Sequence, residues 1–281
     1  MSEHASTAAT TTLEQDAAAP SFHGDFIWYE LLTSDRDAAI DFYKTVVGWT
    51  AADFPTPVGT GNFRYTILSV GDRGVAGVMV IDDEMRALGR RPGWLGIIGA
   101  ADTDAAAKRI ADAGGTVHKE PADIPTIGRF AIVADPGGAV FQLLTPIPPE
   151  KEPAPLDPQT PGKVSWHELY TSQGQAAAFE FYSGRFGWKT FDEMDMGPMG
   201  KYRIFGKDDV QMGGMMDKPA DMPVSAWLFY VNVDGIDAAV DRIKAHDGQV
   251  LNGPMEVPGG SWIVQAVDPQ GASFALVSAA R

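Results

Sequence analysis

Two short stretches, Trp28-Tyr29-Glu30-Leu31 and Trp166-His167-Glu168-Leu169, each set a carboxylate two residues from a tryptophan inside a largely apolar run. In an extended strand alternate residues point the same way, so Trp28 and Glu30 share one face, as do Trp166 and Glu168. A carboxylate held in a partly apolar hollow has a raised pKa and can take a proton from a carbon next to a carbonyl. Glu30 and Glu168 are therefore candidate general bases. The competing reading is architectural. Charged residues in apolar strands are usually hydrogen-bonded or paired, here with backbone groups or with Arg64 or Arg203 on nearby strands. Retention of the glutamate in both stretches favours the architectural role.

His167 offers a second chemistry. It lies between Trp166 and Glu168, and a one-residue bulge would turn it to their side of the strand, where it could join Glu168 around a metal. Without the bulge it faces the helix layer or solvent, and Tyr29 at the matching place in the first stretch favours that reading. His4 and His23 lie in or beside the N-terminal tail and receive no role. The chain has no cysteine, which removes disulfides, thiolate zinc sites and cysteine nucleophiles together.

The elements that position these residues occur twice. Phe42-Tyr43 and Gly48-Trp49 pair with Phe181-Tyr182 and Gly187-Trp188, Tyr65 with Tyr202, and Gly77 with Gly214. Trp94-Leu95 then pairs with Trp227-Leu228, Asp104-Ala-Ala with Asp237-Ala-Ala, and Asp135-Pro136 with Asp268-Pro269. The order never changes, so the chain is a duplication. The modules run over 24–145 and 162–281, joined by a proline-rich connector at 146–161 that disfavours helix and central strand. Residues 1–23 read as a disordered tail, lacking the basic start and apolar stretch of a signal peptide.

Within module 1, Phe26 to Leu32 is strand-like, and Asp35 is placed to cap a helix carrying Ala39, Phe42, Tyr43 and Val46 at helical spacing. Gly48 ends that helix. Phe63 to Val70 and Gly74 to Val80 form a hairpin about Gly71-Asp72. A strand at Trp94 to Ile98, a helix at Asp104 to Ala113, and strands at Thr116 to His118, Phe130 to Ala134 and Val140 to Leu144 complete the module. The fold class is α+β, each module being two βαβββ half-units, four in all.

A formal charge of -15 argues against nucleic acid or an anionic membrane as partner, since both require a basic footprint. No run approaches the roughly 20 apolar residues of a membrane span. The cytoplasm is the expected compartment.

The pattern Asp-x-x-x-Ala-x-x-Phe-Tyr-x-x-x-x-Gly-Trp, with the closing stretches DPGGAVFQL (from Asp135) and DPQGASFAL (from Asp268), resembles the vicinal oxygen chelate superfamily. Glyoxalase I, bleomycin-resistance proteins and extradiol dioxygenases belong to it. Module 2 departs in having Gln173 for the aspartate and one extra residue before Phe181. The tandem arrangement further resembles a bacterial glyoxalase-like subgroup of the Cfp30B type. The resemblance implies that paired half-units curl into half-open barrels with a ligand or metal in the concave cleft.

It also implies where a metal would be held: fourteen residues before the Phe of Phe-Tyr, and four after the second glycine position of Asp-Pro-x-Gly. Module 1 has Trp28 and Gln142 there, and module 2, aligned on Trp-x-Glu-Leu, has Trp166 and Ala275. Three of these four cannot ligate, so no metal cofactor is expected; the alternative is a divergent zinc or nickel site including His167. The favoured function is a small-molecule binder whose cleft, lined by Trp28, Trp166, Tyr65, Tyr202, Gln142, Trp94, Trp227 and Met199, takes a flat apolar or aromatic ligand. The alternative is a glyoxalase-like lyase or isomerase using Glu30 or Glu168. Trp49 and Trp188 read as core or cleft wall. Asp192 to Tyr202, rich in methionine, and Pro55 to Tyr65 are candidate lips. The chain is expected to act as a monomer or homodimer.

Overall fold

The computed structural model describes residues 20–55, 64–87, 89–149 and 154–281. Residues 1–19 of the expected tail, 56–63 of the first lip and 150–153 of the connector lie outside the described residues. Pro20 to His23, assigned above to the tail, instead turn back onto the fold. Gly24 N donates to Gly99 O at 2.9 Å, and Lys207 Nζ donates to the carbonyls of Ser21 and His23 at 2.7 and 2.8 Å.

Module 1 runs β1 (Phe26–Thr33), α1 (Arg36–Val46), β2 (Thr50–Asp53), β3 (Thr66–Val70), β4 (Arg73–Val80), α2 (Asp83–Ala87), β5 (Gly93–Gly99), α3 (Thr103–Asp112), β6 (Thr116–Ile124), β7 (Gly128–Ala134) and β8 (Val140–Pro146). Module 2 repeats the plan as β9 (Val164–Thr171), α4 (Gln175–Phe186), β10 (Lys189–Asp195), β11 (Lys201–Lys207), β12 (Val210–Asp217), β13 (Ala226–Asn232), α5 (Ile236–Ala245), β14 (Gln249–Glu256), β15 (Trp262–Val267) and β16 (Ser273–Ser278). The sheets are ordered β2-β3-β4-β1-β5-β8-β7-β6 and β10-β11-β12-β9-β13-β16-β15-β14. Each is two half-units laid side by side through the central antiparallel pair, β1 with β5 or β9 with β13. Neither sheet closes on itself, which leaves each an open cleft.

The first helix of each module starts for a different local reason. Asp35 accepts a hydrogen bond from Ala38 N at 3.1 Å, the side-chain cap expected from sequence. In α4 the N-cap position is Gly174, which has no side chain to offer. Asp217, at the end of β12, accepts from Gln175 N at 2.7 Å instead. The cap that local sequence lacks is thus supplied by tertiary contact.

One core joins the modules, and it is built from reciprocal contacts. Tyr43 on α1 donates to Asp268 Oδ2 of module 2, and Tyr182 on α4 donates to Asp135 Oδ2 of module 1, both at 3.1 Å. Trp49 donates to Gly162 O and Trp188 to Gly24 O, both at 2.7 Å. Phe42 packs edge-on against Phe274 across the boundary, and Phe141 against Phe186. The Phe-Tyr, Gly-Trp and Asp-Pro motifs that mark the duplication are therefore the contacts by which one copy grips the other.

Candidate functional site

Alternation along β1 sends Tyr29, Leu31 and Thr33 into the shared core and Trp28, Glu30 and Leu32 toward the cleft. A register shift between Phe26 and Trp28 lets Phe26 join the core side despite its even spacing. β9 does the same with His167, Leu169 and Thr171 inward and Trp166, Glu168 and Tyr170 toward the cleft.

In module 1 the indole N–H of Trp28 donates to the Tyr65 hydroxyl at 2.8 Å, and Tyr65 is hydrogen-bonded to Glu30. Gln142 Nε2 donates to Glu30 Oε2 at 2.7 Å. Glu30 is 8% exposed, and burial pushes its carboxyl pKa up against the opposing effect of the Gln142 and Tyr65 hydrogen bonds. The tyrosine ring reaches Glu30 by crossing Gly77, the residue paired with Glu30 on β4. A Cβ at Gly77 would lie 1.9 Å from the Tyr65 hydroxyl, and one at Gly214 would lie 2.0 Å from the Tyr202 ring. That is why glycine recurs at this position in both modules.

Module 2 keeps the tryptophan–tyrosine–glutamate chain and adds to it. Trp166 Nε1 donates to the Tyr202 hydroxyl at 2.9 Å, and Tyr202 is hydrogen-bonded to Glu168. Tyr170 and Tyr230 donate to Glu168 Oε2 at 2.6 and 2.7 Å, and Gln265 Nε2 approaches the same oxygen at 3.2 Å. Tyr170, Tyr230 and Gln265 occupy the registers that Leu32, Ile97 and Ile132 hold in module 1. Ala275 stands at the register of Gln142 and is paired with Gln265 on the neighbouring strand, so the amide has moved one strand over. Burial pushes the Tyr65, Tyr170, Tyr202 and Tyr230 hydroxyls above their usual range, the neighbouring carboxylates adding to it.

Several expected site residues lie elsewhere. Trp94 and Trp227 are not cleft residues. They pair with Leu31 and Leu169 and share their core face, and their indoles donate to Tyr43 and Tyr182 at 2.8 and 3.1 Å. Leu95 and Leu228, one residue on, face the clefts because the strand alternates. Met199 ends a 3-10 turn at Gly197–Met199 and is 57% exposed, with no hydrogen bond or ring contact to the Glu168 cluster. Arg64 and Arg203 are not the partners of the two glutamates: Arg64 lies 3.5 Å from Asp53, and Arg203 binds Glu193 at 2.7 Å.

His167 and Glu168 are not brought together, and His167 faces neither the helix layer nor solvent. It is 6% exposed at the module boundary and stacks on Phe26 with ring centroids 4.0 Å apart. Nδ1 lies 2.6 Å from Met212 O, an acceptor, so Nδ1 carries the proton and Nε2 accepts from the Tyr29 hydroxyl at 2.6 Å. Burial, reinforced by Lys163, lowers its pKa to about 4 against the Met212 hydrogen bond. Both nitrogens are thus occupied. Among the described residues no group of three or more His, Asp or Glu side chains is placed to hold a metal ion.

Tyr170, Tyr230 and Gln265 were missed by sequence reasoning. Tyr170 continues the alternation Trp166-x-Glu168-x-Tyr170 and was legible in it. Tyr230 and Gln265 had no counterpart in module 1, so comparing the copies could not reveal them.

This fold and these clefts define a class. The family model for the Glyoxalase/Bleomycin resistance protein/Dioxygenase superfamily matches residues 26–143 and 167–276, and the chain belongs to that superfamily. Over 253 residues it is 30% identical to the protein CFP32 of Mycobacterium tuberculosis (strain CDC 1551 / Oshkosh), covering 90% of this chain and 94% of that one. It is 32% identical over 263 residues to the anthracycline biosynthesis protein DnrV of Streptomyces peucetius, covering 89% and 91%. Among solved structures, the Mn(II)-bound glyoxalase from Novosphingobium aromaticivorans superposes with a TM-score of 0.62 at 18% identity, over 90% of this chain and 81% of that one. The 2,3-dioxygenase LapB from Pseudomonas sp. KL28 superposes with 0.58 at 16%, over 89% and 90%. These two likenesses concern the fold. No helix among the described residues is long and apolar enough to cross a membrane.

Proposed function

We propose that the chain is a binding protein for a flat, apolar or aromatic small molecule, held in a concave cleft without a metal and acting in the cytoplasm. One observation carries this reading: the residues at the superfamily's metal positions are engaged by neighbouring side chains or have no donor atom. The Trp28 and Trp166 N–H groups are given to tyrosines, the Gln142 amide is given to Glu30, and Ala275 has no donor atom. This set does not fit a divalent cation, which requires several carboxylate or imidazole ligands converging on one point. What remains on the cleft face is half-buried aromatic and aliphatic surface, from Trp28, Leu32, Leu95 and Phe130 in module 1 and from Trp166, Tyr170 and Leu228 in module 2. Anthracyclines are fused planar ring systems, and similarity to a protein named for their biosynthesis supports a ligand of that shape.

The test is a thermal-shift and tryptophan-fluorescence titration with fused-ring aromatics on metal-analysed protein. Micromolar binding by protein carrying no stoichiometric metal, weakened in Trp28→Leu or Trp166→Leu, is the expected result. Near-equimolar zinc, nickel, manganese or iron in protein purified without chelator overturns it.

A second reading has one observation in its favour. Glu30 has two hydrogen-bonding partners, Gln142 and Tyr65, in an apolar setting, and its raised pKa suits a general base in a lyase or isomerase. Glu168 has Tyr170, Tyr202, Tyr230 and Gln265 bonded to it and is the poorer candidate. Turnover that falls by more than about a hundredfold in Glu30→Gln, but not in Glu168→Gln, would establish this reading over the first.

A further inference from the structure

The two clefts differ in the sign of what they present, and that difference selects a ligand. Around Glu168 every donor is turned inward. Tyr170 and Tyr230 spend their protons on Oε2 and accept from Gln265 Nε2 at 2.9 and 2.7 Å. Tyr202 accepts from Trp166 and is bonded to Glu168. A hydroxyl has one proton, so each of these, with its proton on Glu168, has nothing left to donate. The outward face of the cluster is therefore acceptor-only, and it lies over a carboxylate that is 7% exposed and has no Lys or Arg within ion-pair distance among the described residues.

The rings point to the same conclusion. Trp166, Tyr170, Tyr202 and Tyr230 carry no stacked aromatic partner and no protein cation among the described residues, whereas Phe179, Phe181 and Trp262 in the same module each have an arginine over the ring. Three of these rings, Trp166, Tyr170 and Tyr202, are half-buried around a carboxylate with no ion-pair partner, an environment that attracts organic cations, while Tyr230 is buried and serves to hold the carboxylate. Module 1 has leucine and isoleucines, Leu32, Ile97 and Ile132, where module 2 has Tyr170, Tyr230 and Gln265.

We propose that the module 2 cleft selects aromatic ligands bearing a positively charged nitrogen, with Tyr170, Tyr230 and Glu168 as the specificity-determining residues, while the module 1 cleft does not discriminate by charge. This rests on the cleft-binding reading above and names the ligand chemistry of one of its two sites. The chain's charge of -15 draws any cation toward the protein, so the specific site must be separated from diffuse attraction.

A matched pair of planar probes does this: N-methylacridinium, a fixed cation, and acridine at pH 8, where it is neutral. Both are titrated by fluorescence against the full chain at 0.15 M salt, where diffuse attraction is screened. The expected result is a preference for N-methylacridinium of about tenfold or more. That preference should vanish in Glu168→Gln and in the double variant Tyr170→Leu/Tyr230→Ile, which installs the module 1 residues, and should persist in Asp241→Asn, which removes an exposed acidic charge on α5. Circular dichroism and melting temperature report whether each variant folds, and the double variant stands in if Glu168→Gln does not. Equal binding of the two probes overturns the charge selectivity and leaves the cleft reading standing. A preference that survives both module 2 changes assigns it to diffuse charge and overturns the site. Failure of both probes to bind overturns the cleft reading itself.

Discussion

Replacing His167 with phenylalanine gives a prediction whose size follows from the geometry. The folded pKa of about 4 lies below the ordinary value of 6.5, so the unfolded chain takes up the proton first as pH falls. Stability contributed by the neutral, hydrogen-bonded imidazole is therefore complete above about pH 6.5 and is lost as pH drops through 4. The full loss is about 3 kcal/mol, and about 2 kcal/mol has gone by pH 5. In His167→Phe the ring still stacks on Phe26, but the Tyr29 hydroxyl and Met212 carbonyl lose their partner, at a cost of about 1–3 kcal/mol at pH 7.5. The variant has no imidazole to titrate. Urea unfolding at pH 7.5 and pH 5 should show its deficit against wild type shrinking by about 2 kcal/mol at the lower pH. Comparing the two proteins cancels the other titrating groups, including Glu30, Asp135 and Asp268. An equal deficit at both pH values would refute the assignment of His167 as a neutral, doubly bonded core residue.

Glu30 has the opposite sign. Its folded pKa is raised, so wild type loses stability as pH rises from the unfolded value of 4.5 through the folded one, and Glu30→Gln should gain on it over that interval and then hold level in denaturant melts. Gly77→Ala and Gly214→Ala place a methyl group against Tyr65 or Tyr202 and should each cost about 1–3 kcal/mol while weakening cleft ligands, as read by melting temperature and titration. Tyr43→Phe removes one of Asp268's donors across the module boundary and should lower stability by about 1–3 kcal/mol, with Tyr182→Phe matching it at Asp135. A single calorimetric transition in both variants is expected, since the two modules share one core; two separated transitions would contradict it.

Much of this molecule is legible in its sequence. The repeated Trp-x-Glu-Leu, Phe-Tyr, Gly-Trp and Asp-Pro motifs defined two modules, and alternation in β1 and β9 placed each tryptophan beside its glutamate on the cleft side, because period-two geometry is a property of the strand itself. The Asp35 cap was equally local. Other features depended on residues far apart in the chain. Trp94 and Trp227 were matched in sequence but turned to the core, a choice set by which face of β5 and β13 the other module covers. Asp217 capping α4, Gln265 replacing the amide missing at Ala275, and His167 locked between Tyr29 and Met212 join positions 42, 97, 138 and 45 residues apart. Local pattern dictates which way a side chain leaves its strand; what it meets there is decided by how the strands and the two modules pack, and that packing also made one cleft's carboxylate the centre of a ring of tyrosines and the other's the companion of leucine and isoleucine.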